Sequence, residues 1–197
     1  MVEGATGDGA QKLFERQYGR ALDALMARIV QAGEKPLSVA MHQRLYMALN
    51  NAVRLPHMWA STRQLLYALF PKLELSTHRF AWVPYLRTMF EQSQTIQDAP
   101  MSAACALHVG HLYYLNGEYA IACTWLEQAH AFFAEAKDGR GQAQALNMLA
   151  WVALRTDRSG EAAALAAVRP TRDSSMSKLW KETICVIPRP DKRVGIT

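Results

Sequence analysis

In the stretch GHLYYLNGEYAIACTWLEQA, residues 110–129, the small residues Gly110, Gly117, Ala122 and Ala129 follow one another at intervals of seven, five and seven among Tyr and Trp. A helix with a bulky side chain at a crossing point cannot bring its backbone near a neighbour. A glycine or alanine there permits close approach, and large side chains fill the space beside it. The spacing therefore predicts two helices joined by a tight turn at Gly117, crossing at Gly110, with Ala122 and Ala129 on the facing helix. A related pattern recurs downstream. ALHVGHLYYLNGEYAIACTWLEQA, from Ala106, superposes on LNMLAWVALRTDRSGEAAALAAV, from Leu146, at a shift of forty residues, so that Gly110 falls on Ala150 and Ala122 on Ala162. A helix, turn, helix unit repeated at this period predicts an array in which each unit packs on its neighbours.

The rest of the chain is legible by the same periodicity. Leu13, Phe14, Tyr18, Leu22, Leu25, Met26 and Ile29 return at helical spacing and predict a helix of about five turns ending near Gly33. Pro36 is expected in the first turn of a second helix that carries Val39, His42, Leu45, Leu49 and Val53 up to Pro56. Residues 57–75 form a third apolar segment, which Pro71 should bend or stop, and Pro84 should lie early in its partner or kink it. Further helices are expected at 101–115, 118–136, 139–155 and 159–168. The resulting division is a flexible N-terminus over 1–10, a helix pair over 11–56, helical repeats over 57–168 and a basic, partly extended tail over 169–197. The fold class is all-α, with about eight helices.

The unit around Gly110 resembles a tetratricopeptide repeat. The small positions of that motif fall on Gly110, Ala122 and Ala129, its turn glycine on Gly117, and its large positions on Tyr113 and Tyr119. In the next unit Ala150 and Ala162 keep the small positions, while Asp157 replaces the turn glycine. One repeat earlier the small positions would be Phe70, Trp82 and Met89, so residues 57–95 depart from the motif. The forty-residue period and the phrase AFFAEAKDGRGQAQALNMLAWVAL are similar to the long-period repeat modules of bacterial STAND signalling ATPases and large transcription regulators. The resemblance implies a short right-handed α-solenoid serving as a sensor, scaffold or docking module. No GxxxxGK[ST] phosphate loop occurs in the chain, so the nucleotide switch of such proteins is not expected here.

Composition narrows the function classes. The formal charge is +5, but Lys and Arg are spread among acidic residues, and only the C-terminal region, with Arg169, Arg172, Lys178, Trp180 and Lys181, forms a basic segment that could meet nucleic acid. The longest apolar runs, ALMARIV and NMLAWVAL, are far shorter than a membrane span. Cys105, Cys123 and Cys185 fit neither a zinc ribbon nor a disulfide framework, and a cytoplasmic setting is expected. Cys105, His108 and His111 sweep across a helix face rather than converging on a metal. The six histidines are scattered, without a nucleophile elbow or paired carboxylates beside them. No catalytic residue, cofactor or metal is expected.

The resemblance also implies a ligand groove lined by the first helix of each unit. Carried onto this sequence, its positions are Ala104, Leu107, His111, Tyr114 and Leu115, then Gln144, Asn147, Trp151, Leu154 and Arg155. Leu107, His111, Tyr114, Asn147, Trp151 and Arg155 are the expected partner-binding residues, and a protein or peptide the expected partner, with nucleic acid as the alternative through the basic tail. The array shows no polar capping helix after Val168, which leaves that end open to self-association.

Overall fold

The structure is a computed structural model that describes residues 4–33, 35–52, 55–76 and 78–158, with single positions at 160, 162 and 164. Among these residues there are seven α-helices, two 3-10 turns and no strand. The helices are α1 (Gly4–Gln31), α2 (Val39–Ala52), α3 (Trp59–Leu73), α4 (Val83–Thr95), α5 (Ala99–Leu115), α6 (Tyr119–Glu135) and α7 (Gly139–Arg155), with 3-10 turns at Pro56–Met58 and Arg79–Trp82. The chain is all-α, as its periodicity predicts. Of the helix expected at 159–168 only positions 160, 162 and 164 are described, and the tail from 169 lies outside the described residues.

A regular turn organises the second half. Gln97, Gly117, Lys137 and Asp157 stand twenty residues apart, and all have positive φ, at 58°, 83°, 56° and 58°. After each, the next amide donates back to a carbonyl five residues earlier: Asp98 to Ser93 at 2.8 Å, Glu118 to Tyr113 at 3.0 Å, Asp138 to Phe133 at 2.9 Å and Arg158 to Ala153 at 2.8 Å. This left-handed closure satisfies carbonyls that the helix end would otherwise leave bare. The next helix begins at once. Asp98 and Asp138 accept the amides of Met101 (3.1 Å) and Gly141 (3.0 Å), and Pro100 sits in a first turn that needs no donor. A helix of 17 residues and a short turn therefore make a twenty-residue step, and two steps make the forty-residue repeat. The rhythm of starts extends upstream of the recognised repeat, since elements begin at Val39, Trp59 and Arg79 as well as at Ala99, Tyr119 and Gly139.

Packing follows sequence order: α4 lies on α5, α5 on α6, α6 on α7, and α5 also touches α7. Gly110 stands at the crossing of α5 and α6. A Cβ there would come within 2.8 Å of Leu126 Cγ and 3.2 Å of the Ala122 carbonyl oxygen. Ala122 and Ala129 are fully buried on the facing helix. A second close approach was not marked by the motif: a Cβ on Gly141 would come within 2.1 Å of the Phe133 ring, where α7 meets α6. Buried Oγ atoms of Ser93 and Ser102, 2.8 Å apart, join α4 to α5.

The N-terminal half solves its packing with bulk instead. Phe70, Trp82 and Met89, at the positions where the motif calls for small residues, are all buried. Tyr46 of α2 packs against Trp82 (4.3 Å between centroids) and stacks on Tyr85 (4.5 Å), holding α2 to the start of α4. Pro71 falls within α3, which ends two residues later, and Pro84 occupies the first turn of α4. Two boundaries differ from the sequence expectation. Helix α1 starts at Gly4, inside the segment read as flexible, and Pro36 precedes α2 instead of lying in its first turn, where Ser38 accepts from the Met41 amide at 3.3 Å.

The left-handed turns generate a paired expectation. Gly117→Ala introduces a Cβ that meets nothing within 4 Å, so its cost comes from φ alone, about 1 kcal/mol. Lys137→Gly relieves the same conformation and should leave stability equal or slightly higher; denaturant melts measure both. Gly110→Leu and Ala129→Leu, in contrast, should each lower stability by about 1–3 kcal/mol through overpacking, and unchanged melts would contradict the crossing described above.

Candidate protein-interaction surface

The expected site residues lie on α5 and α7, and the structure adds α3 to them. Tyr114, the penultimate residue of α5, is the centre. Its ring lies 6.3 Å from His111, 5.9 Å from Tyr119 and 6.3 Å from Trp151, and its hydroxyl accepts from Arg155 Nε at 3.4 Å. The twenty-residue step explains the meeting of α5 and α7: residues 114 and 154 are equivalent, so Trp151 and Arg155, on either side of Leu154, flank Tyr114. Trp151 is half-buried, and Arg155 and Leu154 are exposed, leaving an aromatic plane, a cation and an apolar side chain open to solvent.

Leu107 is half-buried and packs against both apolar clusters of the protein, so it supports the face from beneath. Asn147 is also half-buried, and its side chain makes no hydrogen bond to another described residue. Ala104, by contrast, is buried and offers the face nothing. Tyr113, expected as a packing residue, lies edge-on against Phe80 of the 3-10 turn before α4, at 5.2 Å.

On the α3 side, Glu74 Oε1 accepts from His111 Nδ1 at 2.9 Å, and this bond is the main reason its carboxyl titrates below the ordinary range. His108 stacks on Phe70 at 4.2 Å, Phe70 meets Tyr67 edge-on at 5.7 Å, and the Arg63 guanidinium lies 5.7 Å over the Tyr67 ring. An aromatic band thus runs from Arg63 on α3, across α5, to Arg155 on α7. The α3 members carry a sequence signal that went unused: forty residues back from Leu107 and Tyr114 stand Tyr67 and Glu74. Phe70, Trp82 and Met89 at the small positions of that unit hide the equivalence.

Cys105 is fully buried beside Met101, His108 is held by Phe70, His111 by Glu74, and Cys123 by Glu127, so these side chains are committed to different partners. Among the described residues no group of three or more His, Cys, Asp or Glu is placed to hold a metal ion. No described helix is long and apolar enough to cross a membrane. No protein-family model, curated protein or solved structure matches the chain.

The histidines give the band a pH dependence. Desolvation, then the neighbouring His111, push the His108 pKa down to about 4, with Glu74 opposing. The unfolded chain therefore binds a proton at His108 between about pH 6.5 and 4 that the folded chain refuses, and stability is lost as pH falls through that window. The depressed Glu74 carboxyl acts in the same direction at the acid end: its contribution is present above the unfolded value and lost as pH falls through the folded one. His108→Gln should flatten the stability profile between about pH 6.5 and 4 in urea melts, compared with the wild type.

Proposed function

We propose that this protein is a non-catalytic, tetratricopeptide-like adaptor that binds a segment of a protein partner on the α3–α5–α7 face, as an accessory or sensor module of a bacterial signalling assembly. The observation that carries this reading is the arrangement around Tyr114: three aromatic neighbours and a guanidinium contributed by α5, α6 and α7, the rings half-buried and the guanidinium exposed. Rigid aromatic planes beside a fixed cation are the composition of interaction hot spots, because they bury much area at little entropic cost. Arg155 and the unbonded Asn147 amide would meet the backbone or an acidic group of an extended or helical peptide, and Trp151 its apolar anchor. The alternative, nucleic-acid contact, draws on the basic region from Arg169, which lies outside the described residues.

A photo-crosslinking amino acid at Leu154, exposed beside Trp151, tests the reading in the native host. A discrete protein adduct is expected. With that partner in hand, Trp151→Ala should weaken binding by about 2 kcal/mol, roughly thirtyfold in Kd, with helical content retained. Arg155→Ala should cost less and respond more to salt. Adducts with nucleic acid, or an affinity unmoved by the double variant, would overturn it.

A further inference from the structure

The N-terminal end of the helical stack carries a second, separate surface. Helix α1 packs mainly on α3, turning Leu22 and Ile29 inward. Its next face, toward α2, stays open as a cleft of about 370 Å³ whose floor is Tyr18, Ala21, Ala24 and Leu25 of α1 and Met47 and Ala48 of α2. Tyr18 donates its hydroxyl to the Ala48 carbonyl and fixes the two walls together. The alanines keep the floor low, so another helix axis can approach as closely as in ordinary helix packing. Met47 in the cleft is 62% exposed, and apolar surface continues beyond it, with Leu13 and Phe14 54% and 51% exposed. From Leu13 to Arg28 the strip is about 22 Å long, room for about four helical turns.

Charge decides what fits there. The only charged side chains lining the cleft are Arg28 and Arg44, and neither has a hydrogen-bond or ion-pair partner among the described residues. A second copy docked by this same face would set these arginines against themselves. The tail from Arg169 is itself richer in Lys and Arg than in Asp and Glu, and would meet the same repulsion. We infer that the α1–α2 cleft is a docking groove for an amphipathic helix of another protein, with apolar residues on one face and carboxylates flanking them. The groove's arginines select for acidic flanks.

The probe is a fluorescein-labelled helical peptide of about 18 residues with leucines at i, i+3, i+4 and i+7 and glutamates on the flanks, titrated into the full chain; a second peptide replaces the glutamates with lysines. The acidic peptide should bind, and the lysine peptide at least about tenfold more weakly. Met47→Glu, at an exposed position that folding does not use, should weaken the acidic peptide about tenfold or more, and the Arg28→Glu, Arg44→Glu pair should reverse the preference. Trp151→Ala should leave all of this unchanged, which separates the groove from the aromatic band. Failure of the acidic peptide to bind, equal binding of both peptides, or indifference to Met47→Glu would overturn the inference. So would sedimentation as a dimer that Met47→Glu turns into monomers, since the occupant would then be a second copy.

Discussion

Each reversal between α4, α5, α6 and α7 is made by one residue in the left-handed region followed by an amide that closes on the preceding helix. Everything downstream depends on that constraint. A turn of fixed length locks 17-residue helices into a twenty-residue register, and the register decides which faces meet. Glycine is the unstrained residue for such a turn, yet it occurs at one of the four sites. At Gln97 and Lys137 the strain of a side chain at positive φ is offset by the packing of the helices on either side, α4 on α5 and α6 on α7.

The same register assembles the aromatic band. Residues forty apart occupy equivalent places on alternate helices, so α3, α5 and α7 present Glu74, Tyr114 and the Trp151–Arg155 pair in succession across one surface. Neighbouring aromatic rings at these centroid distances contribute about 0.5–1.5 kcal/mol per pair beyond burial, enough to hold the rings in place before a partner arrives. Preorganisation of this kind lowers the entropic cost of binding. The α1–α2 cleft differs in kind: it is a mainly apolar surface edged by Arg28 and Arg44.

Much of this was legible in the sequence, and the exceptions have physical causes. Gly110, Ala122 and Ala129 reveal their crossing because only small residues permit it, and α5, α6 and α7 fall within two residues of their expected bounds. The turn expected between 155 and 159 forms at Asp157, where aspartate adopts the conformation that the motif assigns to glycine. Phe70, Trp82 and Met89 concealed the continuation of the register into α3 and α4, where bulk replaces close approach. Tyr67 and Glu74 were missed with them. The His111–Glu74 bond has no local sequence signal, since it joins residues 37 positions apart on different elements.

Proton–proton contacts in the full-length protein test the central claim most directly, namely that the turn register brings Tyr114 and Trp151 to one face. In a nuclear Overhauser spectrum with Tyr and Trp selectively labelled, the Tyr114 ring should show cross-peaks to the Trp151 indole protons, as a centroid separation of 6.3 Å requires. A protein with its helices intact and no contact between these two rings would contradict the register, and with it the surface built upon it.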